Sequence, residues 1–437
     1  MEYYVLENQT IIRKVGDKHL LLNTTFDYSK KKIMELSDVG EEIALFISKR
    51  KTLEDIKTRF PSIKEDVLIE FLRIICERGY AFKYSDSALE QKFVSEIVRN
   101  DWLVNRTFFA CTMELLPNCN LKCVHCYLSD HRYEAVKFPK ENVFKIVDEL
   151  YDNGLLMIYL SGGEPLLRPD FLDIYTYIRK KGIMVTIFTN GSLITDEMIE
   201  RFKEYPPLEV DISLYGSCEE KYYEVTKERG VFSRVWSNVL KLKDNGIYVS
   251  LKTPVISILE DDLENMVSLC KSNDLPYRIA FEINPTIDNI SKKNYQIPYT
   301  RVAELMKKFS DEYPAMVKNY NEFVKDKNAF TKKKYLCSTG RCSFFITYEG
   351  KAASCIELRH KAVDILKLGF KDSWELCKKS SYETANPDNY KCSRCNMATI
   401  CKSCPAIRER LYGDATIVKE SDCAFAQALK SIIEKGE

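Results

Sequence analysis

Three features are missing from this sequence, and each absence excludes something. The first twenty residues, MEYYVLENQTIIRKVGDKHL, contain no basic segment followed by an apolar one, so no signal peptide is expected. No window approaches the roughly 18 apolar residues of a membrane helix. Membrane partners are therefore not expected, and the expected compartment is cytoplasmic. Charge of one sign is missing as well: 65 Lys and Arg against 64 Asp and Glu leave a formal net charge of +1. That balance gives no electrostatic argument for nucleic acid or an anionic lipid surface. Cysteine, by contrast, is abundant, with 16 in 437 residues. In a reducing compartment this points to metal ligands rather than disulfides, and the length allows two or three domains with their own cores.

A fourth ligand is absent where one would be sought. The stretch PNCNLKCVHCYLSD, residues 117 to 130, places Cys119, Cys123 and Cys126 within eight residues. Three cysteines cannot pair completely, and disulfide frameworks belong to small oxidised domains. Structural zinc takes four ligands, and the nearest fourth is His125, squeezed between two of the cysteines. Three thiolates without an obvious fourth suit an iron–sulfur cubane, which normally takes four and with three keeps one iron open. Nine more cysteines fall after residue 336, eight of them grouped as Cys337, Cys342, Cys355, Cys392, Cys395, Cys401, Cys404 and Cys423. The other five, Cys76, Cys111, Cys218, Cys270 and Cys377, are scattered and read as small apolar core residues.

Residues 100 to 290 alternate regularly. The runs FFACTMELL, LMIYLSGG, MVTIFTNG, EVDISLYG, YVSLKTPV and YRIAFEINP are β-branched or aromatic and end in turn residues. Helical patterns such as ENVFKIVDELYDNG and VFSRVWSNVLKLKDNG lie between them, each stopped by Asn-Gly. This predicts an α/β fold of βαβ units, six repeats forming a barrel or part of one. Sites in such folds collect at the C-terminal ends of the strands, and the three-cysteine loop follows the first strand. SGGEP (161–165) ends the second strand, with paired glycines for close backbone approach and Glu164 as a carboxylate for a ligand amine. TNG (189–191) ends the third, and Ser213 sits near the end of the fourth. Each alone is an ordinary turn; together on one rim they predict a ligand site.

C-x3-C-x2-C after the first strand, with an aromatic residue before the last cysteine and GGEP on the second strand, resembles the radical S-adenosylmethionine superfamily. The resemblance implies a partial (β/α)6 barrel and a [4Fe–4S] cluster on Cys119, Cys123 and Cys126. S-adenosyl-L-methionine would bind the open iron. Gly162, Gly163 and Glu164 would hold its methionine amino group, and Asn190 and Ser213 would lie on the ribose and carboxylate side. The cofactors carry the chemistry, one-electron cleavage to a 5′-deoxyadenosyl radical that abstracts hydrogen.

The C-terminal cysteines, taken alone, read as a pair of zinc sites. With the upstream motif, they resemble the cysteine-rich SPASM extension and its two auxiliary [4Fe–4S] clusters, which makes three clusters in all. By position, Cys337, Cys342, Cys355 and Cys404 would hold the first, and Cys392, Cys395, Cys401 and Cys423 the second. Two departures from the family leave points open. Cys401 and Cys404 are C-x2-C rather than C-x3-C, which bears on Cys404. Only seven residues separate Cys342 from Gly350, so either both Cys337 and Cys342 are ligands or one is free.

Before the barrel, short strands (YYVLE, TIIRKV, HLLLNTTF) precede three helical segments, SDVGEEIALFISK, TLEDIKTRF and IKEDVLIEFLRIICERG. A winged-helix DNA reader would be basic; this module is nearly neutral. It resembles the winged-helix-like peptide-recognition element of enzymes that modify ribosomally made peptides, in which a leader peptide adds a strand to a sheet edge. The expected domains are 1–95 for leader recognition, 96–295 for the barrel, 296–336 as a bridge and 337–437 for the auxiliary clusters. The solvated KKK at 332–334 falls in the bridge.

The resulting expectation is an oxidoreductase that matures a precursor peptide bearing a leader and draws electrons from a flavodoxin or ferredoxin. A thioether cross-link is the first expectation and a carbon–carbon cross-link the second. Sulfatase-maturase-like oxidation of Cys or Ser to formylglycine is the third; there an Asp often follows the third cysteine as base, where this chain has Ile356 and then Glu357. The non-enzyme alternative is a zinc-binding peptide scaffold. No catalytic residue is assigned from the sequence.

Overall fold

The computed structural model describes residues 2–6, 10–15, 18–23, 32–47, 51–85, 110–133, 138–281, 283–290, 293–310, 313–325, 337, 339–381, 383, 387 and 390–435. The KKK segment and the expected boundaries near residues 95 and 336 lie outside these residues.

The N-terminal unit has strands β1 (Glu2–Leu6), β2 (Thr10–Val15), β3 (Lys18–Asn23), β4 (Lys32–Leu36), β5 (Lys51–Thr52) and β6 (Ala81–Ser85). Helices span Asp38–Phe46, Leu53–Arg59 and Glu65–Glu77. Ser37 caps the first helix by accepting from the Gly40 amide, and Thr52 with Asp55 forms a capping box on the second. In the third, Leu68, Leu72 and Ile75 recur at helical spacing and are fully buried. They pack with Tyr4, Leu21 and Ile43 in a core of their own.

The strands form two antiparallel sheets, β5–β1–β6 and β2–β3–β4. Alternation along β3 gives the second sheet two buried faces. Leu21 faces the helices, while Leu20 and Leu22 pack on Ala110, Leu156, Met157, Met184 and Leu208. Those five residues lie at the N-terminal ends of barrel strands or just before them, so this sheet caps the barrel's base.

The six expected strands form in order: β7 (Ala110–Glu114), β8 (Met157–Ser161), β9 (Met184–Thr189), β10 (Glu209–Ser213), β11 (Val249–Pro254) and β12 (Tyr277–Ala280). All neighbouring pairs are parallel. On β10, Val210 and Ile212 enter the core shared with the helices; Glu209, Asp211 and Ser213 share the opposite, inner face. The polar interior is thus set by simple alternation.

The C-terminal region does not stand apart. Strand β13 (Ser343–Ile346) pairs parallel with β7, and β14 (Lys351–Ala353) and β15 (Val363–Asp364) continue the sheet to nine strands. Helix Ile365–Ser380 packs back, Phe370 and Trp374 meeting Phe344 at ring separations of 5.8 and 5.5 Å. Among the described residues no helix is long and apolar enough to cross a membrane.

Candidate active site

At the C-terminal rim, the SGGEP turn runs against the start of the cysteine loop. The Gly163 amide donates to the Leu116 carbonyl and the Glu164 amide to the Asn118 carbonyl, both at 2.8 Å. A Cβ on Gly162 would stand 2.3 Å from the Leu116 oxygen, and one on Gly163 would stand 2.1 Å from that of Asn118. The paired glycines therefore let one stretch of backbone lie against another, which fixes the cysteine loop to the second strand.

Glu164 is fully buried. Its carboxylate accepts from the Asn190 amide (2.7 Å), the Thr189 hydroxyl (2.7 Å) and the Leu166 amide (3.1 Å), tying the ends of β8 and β9 together. Burial pushes this carboxyl up to about 7, against the opposing pull of those donors. The Asn190 side chain is similarly occupied: its amide nitrogen donates to Asn120 (2.9 Å), and its oxygen accepts from the Ser192 amide and hydroxyl.

Cys119, Cys123 and Cys126 are half-buried and line one cavity of about 390 Å³. The same cavity is lined by Gly162, Gly163, Asn190 and Ser213, so the structure brings these sequence-selected residues together; Glu164 braces its wall from behind. His125 and Tyr215 meet edge to face at 5.3 Å beside the thiols. Burial pushes the Cys119 thiol up to about 11, so it keeps its proton until a positive centre replaces it. Three soft donors on one cavity suit an iron–sulfur cluster. Among the described residues no three His, Cys, Asp or Glu side chains close on a single metal ion; a cubane instead ties each thiolate to a separate iron.

Seven of the eight later cysteines line a second cavity of about 270 Å³. They fall into two groups of thiols near enough to influence one another: Cys337, Cys355 and Cys404 in one, Cys392, Cys395, Cys401 and Cys423 in the other. Cys342 is 1% exposed and off this cavity, its thiol near that of Cys337.

Sequence reasoning missed the residues that join the two halves. Tyr127, next to Cys126, donates to Glu114 at 2.7 Å, as does Arg359, four residues after Cys355. Glu357 lines the first cavity and is held by Arg410 (2.6 Å) and Asn284 (3.1 Å). Glu357, two residues after Cys355, and Tyr127, beside the motif, carried a signal in the sequence; the rest depends on the hairpin joining β7.

A parallel α/β barrel with three cysteines and a Gly-Gly turn on its rim defines a radical S-adenosylmethionine fold. Residues 113–270 match the Radical SAM superfamily, and the chain carries a radical SAM domain. It is 29% identical over 245 residues to the antilisterial bacteriocin subtilosin biosynthesis protein AlbA of Bacillus subtilis. That match takes in 56% of this chain and spans about half (54%) of AlbA. It is 26% identical to an AdoMet-dependent heme synthase of Methanosarcina barkeri, over 72% of this chain and 96% of that protein. The fold is shared with Streptococcus suis SuiB, with a TM-score of 0.63 at 16% identity over 96% of this chain and 99% of that one. SuiB bound to its precursor peptide SuiA matches with a TM-score of 0.60 at 14% identity.

Proposed function

We propose that this chain matures a ribosomally made peptide by radical chemistry, forming an intramolecular thioether. The observation that carries the reading is the first cavity. It runs from the three thiols and Gly162–Gly163 to Ile356 and Glu357, directly after Cys355, so a reacting side chain there lies between the rim and the cysteine-rich region. The likeness in sequence to AlbA and in fold to SuiB supports the peptide as substrate.

Cys119, Cys123 and Cys126 would hold the first cluster, with Cys337, Cys342, Cys355 and Cys404 and then Cys392, Cys395, Cys401 and Cys423 for two auxiliary ones. When bound, these clusters and S-adenosylmethionine supply a hydrogen-abstracting radical and an acceptor for the electron left over, with fresh electrons from a flavodoxin or ferredoxin. The residues of the chain position and exclude. Gly162 and Gly163 line the cavity and offer backbone to the methionine amino group, and Glu164, buried behind them, braces the turn. Asn190 and Ser213 lie on the ribose and carboxylate side, and the barrel walls keep water from the reacting carbon. Joining a thiol sulfur to that carbon removes two hydrogens from the peptide, one as an atom and one as a proton with an electron leaving separately. A formylglycine-type oxidation finds less support, since Glu357, the nearest carboxylate to the base's place, is already held by Arg410 and Asn284.

The N-terminal unit would capture the leader. Among the described residues, strands β2 and β4 each pair on one side only, with β3, which leaves an edge for strand addition. This unit sits at the barrel's base and the cavity at its rim. A five-residue strand spans roughly 17 Å, so the peptide must run at least that far between captured leader and reacting residue.

The test is anaerobic reconstitution. We expect roughly twelve irons per chain for three clusters. Replacing Cys119, Cys123 and Cys126 by Ala should remove about four of them and all cleavage of S-adenosylmethionine. Cleavage that persists in the triple variant refutes the assignment of the radical site.

A further inference from the structure

Beside the first cavity lies another, of about 480 Å³, along the terminal strand of the sheet, β12. It shares Lys252 with the first cavity and Lys402 with the auxiliary one. The groove therefore borders both the candidate active-site cavity and the auxiliary cysteine cavity. Its chemistry is one-sided. Lys252, Arg278 and Lys402 line it, and among the described residues no carboxylate does. Phe281, Met306 and Phe309 supply an apolar wall.

The cations are not equivalent. Arg278 is spoken for, because its guanidinium pairs with Asp211 and lies 3.6 Å from Glu209. Lys252 stands beside Arg278 and Ser213 in the cross-strand register. Among the described residues it makes no ion pair, and the neighbouring Asp211 carboxylate is already engaged by Arg278. Its ammonium stands where the two cavities meet.

We propose that this groove is a specificity subsite for an acidic side chain of the substrate peptide, with Lys252 as the residue that selects it. The proposal rests on the peptide reading given above. A carboxylate entering along β12 meets an ammonium that has no ion pair among the described residues, its charged neighbour Asp211 interacting with it only at longer range while paired with Arg278. A charge-assisted hydrogen bond there outweighs its neutral counterpart. The aromatic and methionine wall takes an apolar neighbour of that acid. Lys402 extends the positive surface towards the second cysteine group, so the segment beyond the acid is drawn along the seam between barrel and extension.

S-adenosylmethionine also carries a carboxylate, and the test separates the two. The reconstituted full-length protein is titrated by calorimetry with acetyl-Gly-Ser-Glu-Phe-Gly-Ser-amide and with its Gln counterpart, in the presence of S-adenosylmethionine. Wild type should bind the Glu peptide about tenfold more tightly than the Gln peptide. Lys252→Met should abolish the preference while leaving the Gln peptide and S-adenosylmethionine bound as before. Equal binding of the two peptides by wild type overturns the subsite and leaves the peptide reading standing. Binding of neither also overturns the subsite, while the peptide reading, which rests on leader capture, stands or falls by the modification of a leader-bearing peptide. If Lys252→Met weakens S-adenosylmethionine tenfold and keeps the Glu preference, the ammonium serves the cofactor and the proposal fails.

Discussion

Arg359, in the turn after Cys355, donates a hydrogen bond of 2.7 Å to Glu114 at the end of the first barrel strand, and both side chains are nearly or fully buried. The same carboxylate oxygen accepts from Tyr127, the neighbour of Cys126. One buried carboxylate therefore links the loop of the first cysteine group to that of the later ones. Breaking a buried pair leaves an uncompensated charge, costing about 3–5 kcal/mol. Arg359→Met should lower stability by about that much in denaturant titrations of the reconstituted protein. Adding Glu114→Gln should recover part of the loss. Strictly additive losses would show that the two residues do not act as a pair.

The glycine pair gives a sharper geometric prediction. A methyl group on Gly163 collides with backbone oxygens of Asn118 (2.1 Å) and Pro117 (2.3 Å), which cannot rotate away. Gly163→Ala should push the cysteine loop off the second strand and lower cleavage of S-adenosylmethionine at least about tenfold, with cluster iron lost in parallel. Normal iron content and cleavage would mean that the loop yields freely.

Glu164 sets a pH dependence. Its carboxyl rises from an ordinary 4.5 to about 7 in the folded chain because it is buried. Between those values the folded state holds a proton that the unfolded state has released. The stability from this group is full below pH 4.5, is lost as pH rises through about 7, and amounts to about 3 kcal/mol. Glu164→Gln should flatten that part of the stability–pH curve in protein free of S-adenosylmethionine. An unchanged slope would show that Glu164 is ionised throughout.

The six barrel strands and the grouping of the cysteines were legible in the sequence because both rest on local pattern. Alternation marks strands wherever one face is apolar, and metal-ligand spacing survives without tertiary context. Contacts between distant segments were not legible. Glu164 reads as a carboxylate offered to a ligand, yet its three donors come from its own turn and the end of β9. Gly162 and Gly163 read as room for a ligand, and the structure fills that room with residues 116 to 118. Nothing local marks Arg359, Arg410 or Lys252; their places depend on the hairpin at Ser343–Ala353 joining β7 and on the register that sets Lys252 beside Ser213.

Removing residues 1 to about 90 tests the leader unit separately. Peptide affinity should fall about tenfold or more, while uncoupled cleavage of S-adenosylmethionine persists at a similar rate. The sheet also covers Ala110, Leu156, Met157, Met184 and Leu208 at the barrel base. A variant that keeps the unit but carries Pro in the middle of β2 and of β4 should lose peptide affinity alone. Equal affinity with and without the unit would rule out leader capture there.

The central claim is that a peptide is modified by radical chemistry in the first cavity. The most direct measurement is mass spectrometry of a candidate precursor peptide, one with a leader and a core cysteine, after anaerobic incubation with reconstituted enzyme, S-adenosylmethionine and reductant. The account predicts a peptide lighter by two hydrogens, one free thiol fewer by alkylation, and no change with the Cys119, Cys123 and Cys126 triple Ala variant. A peptide of unchanged mass while S-adenosylmethionine is cleaved, or an equal change with the triple variant, would contradict it.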